Sequence, residues 1–95
     1  MIIFNEPIKF EWDKGNRGKN FDKHGVSDHE CEEAFFDPNK KILRDILHSA
    51  REERYILLGQ SKENRMLLIA FTLRKDKVRV ISARDLNKKE RKLYE

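Results

Sequence analysis

This 95-residue sequence has one cysteine, two prolines and no long hydrophobic run. Because Cys31 is alone, the chain cannot form an internal disulfide, and a single thiol cannot build a zinc site by itself. The longest apolar run, residues 66–71, is far shorter than the roughly 20 residues that a membrane-spanning helix needs. The first residues contain neither a basic segment nor an extended apolar stretch, so we expect a cytoplasmic protein without a secretory signal and without a membrane partner.

The length and composition fit one small domain, because chains divide into domains at roughly 100 to 200 residues. Charged residues make up 40% of the sequence and apolar residues 38%, which is enough apolar material for one thin core. No internal repeat, low-complexity tract or Pro/Ser-rich linker divides the chain. We therefore expect residues 1–95 to form a single domain.

The formal net charge of +4 is unevenly distributed along the chain. Residues 74–92 hold nine basic side chains against three acidic ones, a balance of +6, so the remainder carries −2. Acidic residues concentrate instead in residues 28–37. A basic end attracts polyanions such as RNA, although a solvated lysine-rich face explains the charge equally well.

Local signals predict three helices. Asp13 and Gly25 are placed to cap a first helix over residues 13–24. Ser27 with Glu30 forms a capping box for a second helix over residues 28–36. Asn87 with Glu90 forms a similar box, which predicts a basic C-terminal helix that ends near residue 94.

Alternating and continuous apolar patterns predict five strands. The first covers residues 8–12 and the second residues 40–47. The last three form a meander over residues 54–60, 66–71 and 78–83, with polar hairpin connections at 61–65 and 74–77. The nearly continuous apolar runs of the third and fourth strands predict that both of their faces are covered. The expected fold is α+β: a central antiparallel β-sheet packed against N-terminal helices and followed by the basic helix.

Known cofactor motifs, glycine-rich phosphate loops and metal-ligand spacings are absent from the sequence. What remains is a set of Arg, Lys and His residues beside a sheet. These residue types suffice for cleavage of RNA by its own 2′-hydroxyl, which needs a base, an acid and cations that stabilise the charge on phosphorus. We therefore expect neither a cofactor nor a metal.

His48 is the favoured proton carrier, because it lies at a polar break between two predicted strands and imidazole titrates near neutrality. The alternative is a loop histidine that makes one hydrogen bond. His24 precedes Gly25 at a helix end, where capping is its expected role. His29 is expected to be solvated.

Arg79 within a strand and Arg84 just after it lie beside apolar residues, where a guanidinium needs a carboxylate or a phosphate. In a regular strand these two side chains point to opposite faces, so both serve one site only if the chain bends near Ala83. Arg54 and Arg65 flank the preceding apolar strand. Ion pairs with Glu52, Glu53 or Asp85 are the alternative for each arginine.

An ordered series of motifs runs from about residue 8 to the end of the sequence. The motifs are Phe10-Glu11-Trp12-Asp13, Lys23-His24-Gly25-Val26-Ser27, Phe36-Asp37-Pro38, His48-Ser49, Glu53-Arg54, Gly59-Gln60-Ser61, Arg65, Arg79-Val80-Ile81-Ser82-Ala83-Arg84, Glu90 and Tyr94. This series resembles the BrnT toxins. The resemblance implies a bacterial type II toxin with a RelE-like fold, which inhibits translation by cleaving RNA. It also implies an antitoxin partner, BrnA, that has a ribbon-helix-helix part and carries the complex to operator DNA.

The resemblance assigns the catalytic role by position. The residues concerned are His48, Glu53, Arg54, Arg79 and Arg84. Diffuse RNA binding is expected from the remaining cations, Arg65, Lys88, Lys89, Arg91 and Lys92. The competing hypothesis is a non-catalytic module that binds RNA or the antitoxin and acts only in operon control, and a DNA-binding protein that acts alone is disfavoured because no helix-turn-helix pattern is present.

Overall fold

The computed structural model describes Phe4 and residues 6–95, and it shows one five-stranded sheet with three helices. The observed order of strand, two helices, four strands and helix confirms the predicted α+β class and the predicted sequence of elements. In chain order the elements are β1 (Lys9–Phe10), α1 (Lys19–His24), α2 (Asp28–Phe35), β2 (Lys41–Arg44), a 3₁₀ turn (Ile46–His48), β3 (Arg54–Gln60), β4 (Met66–Arg74), β5 (Lys77–Asp85) and α3 (Lys88–Tyr94).

The sheet is mixed rather than purely antiparallel. Its strand order is β1-β5-β4-β3-β2. The predicted antiparallel meander of the last three strands, β3 to β5, is confirmed, and β2 extends it by one antiparallel strand. The short β1, however, pairs parallel to β5. The long connection through α1 and α2 carries the chain to β2 at the opposite edge of the sheet, and the meander then returns to β5 beside β1.

The first helix is shorter than predicted, because α1 begins at Lys19 rather than near residue 13. Asp13 does not cap it. Instead the Asp13 Oδ1 atom accepts a hydrogen bond from the backbone of Gly15 at 2.8 Å, which folds residues 14–18 into turns. Gly18 precedes the helix with a left-handed φ of 71°, a conformation that glycine adopts without steric cost.

The second predicted strand, over residues 40–47, ends at Arg44. Asp45 still donates its backbone N–H to the carbonyl of Arg54 at 2.8 Å, but the chain then leaves the sheet. Ser49 donates its hydroxyl to the Asp45 carbonyl at 2.6 Å. This local hydrogen bond competes with a continued strand and closes residues 46–48 into the 3₁₀ turn.

One face of the sheet is covered by the N-terminal helices, with α2 against β3 and β4 and α1 against β5. The predicted apolar stripe of α2, Cys31, Ala34 and Phe35, is fully buried there. Phe35 packs edge-on against Phe71 with ring centroids 5.0 Å apart. Both predicted capping boxes are present at the N-termini of α2 and α3.

The other face is covered only in part, by α3. This helix crosses from β5, where Glu90 binds Arg84 at 2.7 Å, to β2, where Lys41 donates to the Leu93 carbonyl at 2.7 Å. Tyr94 also donates its hydroxyl to Asp37 at 2.5 Å. The prediction that β3 and β4 are covered on both faces is confirmed only in part, because Leu58 and Thr72 are buried on this face whereas Ile56 and Ala70 are partly exposed.

We call the part of this face outside α3 the open half-face. Its two cross-strand rows are Arg54–Thr72–Arg79 and Leu43–Ile56–Ala70–Ser82. The row beneath α3 is Lys41–Leu58–Leu68–Arg84.

A bulge in β5 places Arg79 and Arg84 on the same face. Pairing with β4 passes from Phe71–Val80 to Ala70–Ser82, which leaves Ile81 without a partner in the ladder. An extra residue of this kind reverses the alternation of side chains beyond it. A bend near Ala83 was the condition for Arg79 and Arg84 to share a face. The observed irregularity is at Ile81, two residues earlier.

No helix in the described residues has both the length and the apolar character of a membrane span.

Candidate functional site

A cleft of about 420 Å³ lies where β3 begins, beside the 3₁₀ turn. It brings together His48 and Arg54, two of the five predicted catalytic residues. Its walls are formed by Leu47, His48, Ala50, Arg51, Glu52 and Arg54. The cleft therefore offers an imidazole and two guanidinium groups within one open concavity.

The imidazole of His48 is held by Asp45. Its Nδ1 atom lies 2.9 Å from Oδ2 and 3.1 Å from Oδ1 of that carboxylate. The Asp45 side chain is only 14% exposed, whereas His48 is 64% exposed. Because a carboxylate can only accept, Nδ1 carries the proton and Nε2 carries the lone pair whenever the ring is neutral.

Ser49 ties this turn to the strand that carries Arg54. Its hydroxyl donates to the carbonyl of Asp45 and accepts the backbone N–H of Arg54 at 3.0 Å. The sequence analysis missed Asp45. The i, i+3 spacing of Asp45 and His48 is a usable signal, but the predicted strand over residues 40–47 placed Asp45 in an extended segment and concealed it.

The Arg54 guanidinium makes no hydrogen bond or ion pair with any described residue. Within its cross-strand row, Thr72 separates it from Arg79, so the two arginines stand two strand spacings, or roughly 10 Å, apart. The buried Thr72 hydroxyl donates to the backbone of Glu53 at 2.8 Å. Arg54 is thus a cation available to an anion at the cleft.

Arg79 is neutralised by two acids near the N-terminus. Its guanidinium donates to both oxygens of Asp13, at 2.8 and 3.0 Å, and to Glu11 at 2.9 Å. These bonds raise the pKa of Arg79 and lower the pKa of Asp13. The side chain is 14% exposed and stands against Gly15, where an added Cβ would lie 2.6 Å from Nη2.

The acid of the cleft, Glu52, belongs to a further ion pair. Arg74 donates to both of its oxygens, at 2.8 and 3.1 Å, which lowers the pKa of Glu52. Arg54 and Arg79 also lower it by their charges. Glu52 is therefore an ionised carboxylate that Arg74 already binds.

Glu53 does not line the cleft. Its carboxylate accepts from Arg44 at 3.2 Å and from the Tyr55 hydroxyl at 2.9 Å. Arg44 and Tyr55 are register partners on the face opposite to Arg54, since neighbouring residues of a strand alternate. The structure thus separates Glu53 from His48 and Arg54.

Arg84 shares a face with Arg79 but lies beneath α3. Both of its terminal nitrogens bind Glu90, at 2.7 and 2.8 Å, and this pair lowers the pKa of Glu90. Arg84 pairs with Leu68 of β4, whereas Arg79 pairs with Thr72. These two β4 positions are four residues, or about 13 Å, apart along the strand. Arg84 therefore fastens the C-terminal helix.

Arg65, which we expected to bind RNA, has a structural role. Its guanidinium binds both oxygens of Asp85 at 2.7 and 3.0 Å, and Nη1 reaches Glu30 at 3.3 Å. It also donates to the carbonyls of His24 and Gly25 at the end of α1. An arginine has five N–H donors, and these contacts occupy all of them.

The four helical cations that we expected to bind RNA are exposed on α3. Their side chains have no acidic partner among the described residues. They are Lys88, Lys89, Arg91 and Lys92.

Of the predicted catalytic residues, only His48 and Arg54 therefore meet at one cleft. Ion pairs hold Arg65, Arg79 and Arg84, but only Arg65 pairs with an acid named from the sequence, Asp85. Arg79 binds Glu11 and Asp13 instead, and Arg84 binds Glu90. No three His, Cys, Asp or Glu side chains within the described ranges gather as metal ligands.

Comparison with known proteins identifies one family. Over residues 12–90, most of the chain, the sequence matches the model of the family described as "Ribonuclease toxin, BrnT, of type II toxin-antitoxin system". Among curated proteins, none matches the sequence at a significant level.

Proposed function

Because this chain belongs to the BrnT family of ribonuclease toxins of type II toxin–antitoxin systems, we propose that the cleft beside β3 cleaves RNA without a metal ion. The observation that carries this proposal is the meeting of an oriented imidazole, His48, with an unpaired guanidinium, Arg54, in one open cleft.

The cleavage uses the neighbouring hydroxyl of the RNA. The 2′-oxygen attacks phosphorus as its proton passes to Nε2 of His48, the atom left basic by the bond between Nδ1 and Asp45. The bond from phosphorus to the 5′-oxygen breaks, and that oxygen takes a proton from water. The products are a 2′,3′-cyclic phosphate and a 5′-hydroxyl.

Arg54 stabilises the negative charge that develops on the phosphoryl oxygens, because a cation beside the reacting phosphate binds the more highly charged transition state more strongly than the substrate. Arg51 adds a second positive charge on the same wall. The α3 cations attract the RNA backbone from a distance.

The predicted catalytic residues that are bound to other side chains position parts of the fold. Arg79 holds the N-terminal turn against β5, Arg84 holds α3 in place, and Glu53 orients Arg44. We assign these three a supporting role rather than contact with the scissile phosphate.

In the cell, we propose that this activity inhibits translation in the cytoplasm until a BrnA-like antitoxin neutralises it. The ribbon-helix-helix part of that antitoxin would bring the complex to operator DNA, so the toxin itself needs no DNA contact. A RelE-like arrangement of the sheet and C-terminal helix is part of the same proposal.

A second function is favoured by a specific observation. Three of the arginines expected to grip phosphate, Arg65, Arg79 and Arg84, are already bound to carboxylates. A non-catalytic module that binds RNA or the antitoxin, and acts only in operon control, requires no more than the exposed cations of α3.

One assay separates the two functions. The purified chain is incubated with a single-stranded oligoribonucleotide in excess EDTA, and the ends of the products are analysed. We expect 2′,3′-cyclic phosphate and 5′-hydroxyl ends, and no cleavage by His48→Ala prepared in parallel, which controls for contaminating nucleases. Retention of RNA without cleavage would instead support the non-catalytic module.

A further inference from the structure

Three large aliphatic side chains stand exposed between the edge of the sheet and the cleft. Leu43 on β2 is 51% exposed, and Ile46 and Leu47 on the 3₁₀ turn are 76% and 89% exposed. Single exposed apolar residues are ordinary, whereas a contiguous group marks an interaction surface. We call these three residues the apolar strip.

The position of the strip connects two features of the fold. β2 is the last strand of the sheet, so no described strand covers its outer edge. Leu43 lies in the same cross-strand row as Ile56, on the open half-face. At the other end of the strip, Leu47 forms part of the wall of the cleft.

The surroundings of the strip are basic. Lys41 precedes it on β2, and Arg51 and Arg54 line the cleft at its other end. The acidic side chains nearby are already paired: Asp45 with His48, Glu52 with Arg74 and Glu53 with Arg44. Beyond Lys41 lies the end of α3, where Leu93 is 60% exposed and follows Lys92. A partner that fits this surface therefore presents apolar side chains on one side and carboxylates around them.

These properties favour a protein over RNA as the occupant. Aliphatic side chains neither stack well on bases nor bind phosphate, whereas an amphipathic helix buries its apolar face on such a surface. A second copy of this chain is disfavoured, because pairing two strips would bring two basic borders together.

We propose that the apolar strip is the docking surface for an acidic amphipathic segment of the antitoxin. This inference rests on the proposed function for its partner. Since Leu47 belongs to both the strip and the cleft, a segment docked on the strip closes the cleft to RNA. Neutralisation then follows from steric exclusion and needs no change in the fold.

The test uses Ile46, which belongs to the strip but does not line the cleft. The protein encoded by the reading frame beside the toxin gene is titrated calorimetrically into the wild-type chain, Ile46→Asp, Ile46→Lys and Phe21→Asp. Phe21, 60% exposed on α1, is the matched control. All four proteins are compared by thermal unfolding and by cleavage of the same oligoribonucleotide.

We expect Ile46→Asp to weaken binding by at least about fiftyfold, because it removes an apolar contact and adds a repelling charge. Ile46→Lys should weaken binding less than Ile46→Asp does, since the partner is acidic. Phe21→Asp should change the affinity by less than about threefold. Ile46→Asp should still cleave RNA and should resist inhibition by the antitoxin.

Equal binding by the wild type and Ile46→Asp would overturn the proposal, as would failure of the neighbouring protein to bind the wild type. A wild-type dimer that Ile46→Asp dissociates in sedimentation would identify a second copy as the occupant instead. If the wild type binds the antitoxin through Ile46 but cleaves no RNA, the docking surface stands and the catalytic proposal fails, so the two claims are tested separately.

Discussion

Arg65 and Arg54 lie at opposite ends of the β3–β4 hairpin, and their side chains have opposite environments. At the loop end, Arg65 uses every guanidinium donor on Asp85, Glu30 and the carbonyls that end α1. At the other end, the Arg54 guanidinium faces a cleft and binds no described residue. The difference shows that a basic residue beside a strand reveals its role only when its partners are known: Arg65 is part of the fold, and Arg54 is available for chemistry.

The largest expected effect is on catalysis at Arg54. Arg54→Ala should lower the rate of RNA cleavage at least about a hundredfold, because removal of one stabilising donor from a transition state typically costs that much. The melting temperature should stay within about 2 °C of the wild type, since the Arg54 guanidinium makes no hydrogen bond or ion pair with a described residue. Arg44→Ala, a matched change on the opposite face, should retain the wild-type rate. Equal rates for Arg54→Ala and the wild type would remove Arg54 from the site.

Arg65→Ala should have the reverse profile. It leaves Asp85, Glu30 and two helix-terminal carbonyls without their donor, which we expect to cost about 2 kcal/mol of unfolding free energy. That loss corresponds to a decrease in melting temperature on the order of 10 °C. Cleavage per folded molecule should be unchanged. A stable Arg65→Ala protein with impaired cleavage would contradict this assignment, because it would place Arg65 in the chemistry rather than in the fold.

Asp45→Asn tests how the cleft end is organised. An amide can donate to Nδ1 of His48 and so move the ring proton to Nε2, which removes the proposed base. We expect about a tenfold loss in kcat with little change in KM, and a change of tautomer visible in the ¹⁵N spectrum of the imidazole. Unchanged kcat together with a changed tautomer would exclude His48 as the base.

The stabilisation that Arg65 provides at the loop end of the hairpin should decrease in acid. Hydrogen bonds from Arg65 hold the pKa of Asp85 below its ordinary value of 3.8. A carboxylate whose pKa is lowered by folding stabilises the protein above its unfolded pKa, and this contribution is lost as the pH falls through the folded pKa. The difference in unfolding free energy between the wild type and Arg65→Ala should therefore shrink between pH 7 and pH 3. Urea unfolding at both pH values measures it, and a constant difference would contradict the assignment.

The smallest effect is expected at Gly15. In Gly15→Ala the new methyl group would crowd Nη2 of Arg79, and this flexible end can move away from Asp13 at little cost. We expect stability within about 0.5 kcal/mol of the wild type and, since Arg79 has a supporting role, a change in cleavage rate below about threefold. A large loss of activity would move Arg79 from a supporting role into direct contact with the substrate.

The sequence predicted correctly those elements whose stabilising hydrogen bonds join residues only a few positions apart. The capping boxes of Ser27 with Glu30 and of Asn87 with Glu90 each satisfy their backbone groups within four residues, so their sequence spacing was sufficient. The first helix failed because Asp13 prefers a turn and an ion pair with a residue 66 positions away. The parallel pairing of β1 depends on a partner equally remote in the chain.

The site was predictable to a similar extent. His48 and Arg54, which the structure brings to one cleft, were candidates because a polar break and an arginine that flanks an apolar strand are local features; their catalytic role stays a prediction. The partners of Arg65, Arg79 and Arg84 were not identified, since the register of the sheet and the bulge at Ile81 decide which acids they meet. The role of a guanidinium follows from those distant contacts rather than from its immediate neighbours.

The most direct test of the central claim is an NMR titration with an RNA that cannot be cleaved because its 2′-hydroxyls are methylated. The Nε resonances of the arginines and the imidazole signals of His48 are followed in the ¹⁵N-labelled chain. The account predicts that the signals of Arg54 and His48 shift together on binding while that of Arg65 stays in place. Shifts at Arg65, with Arg54 and His48 unaffected, would contradict it.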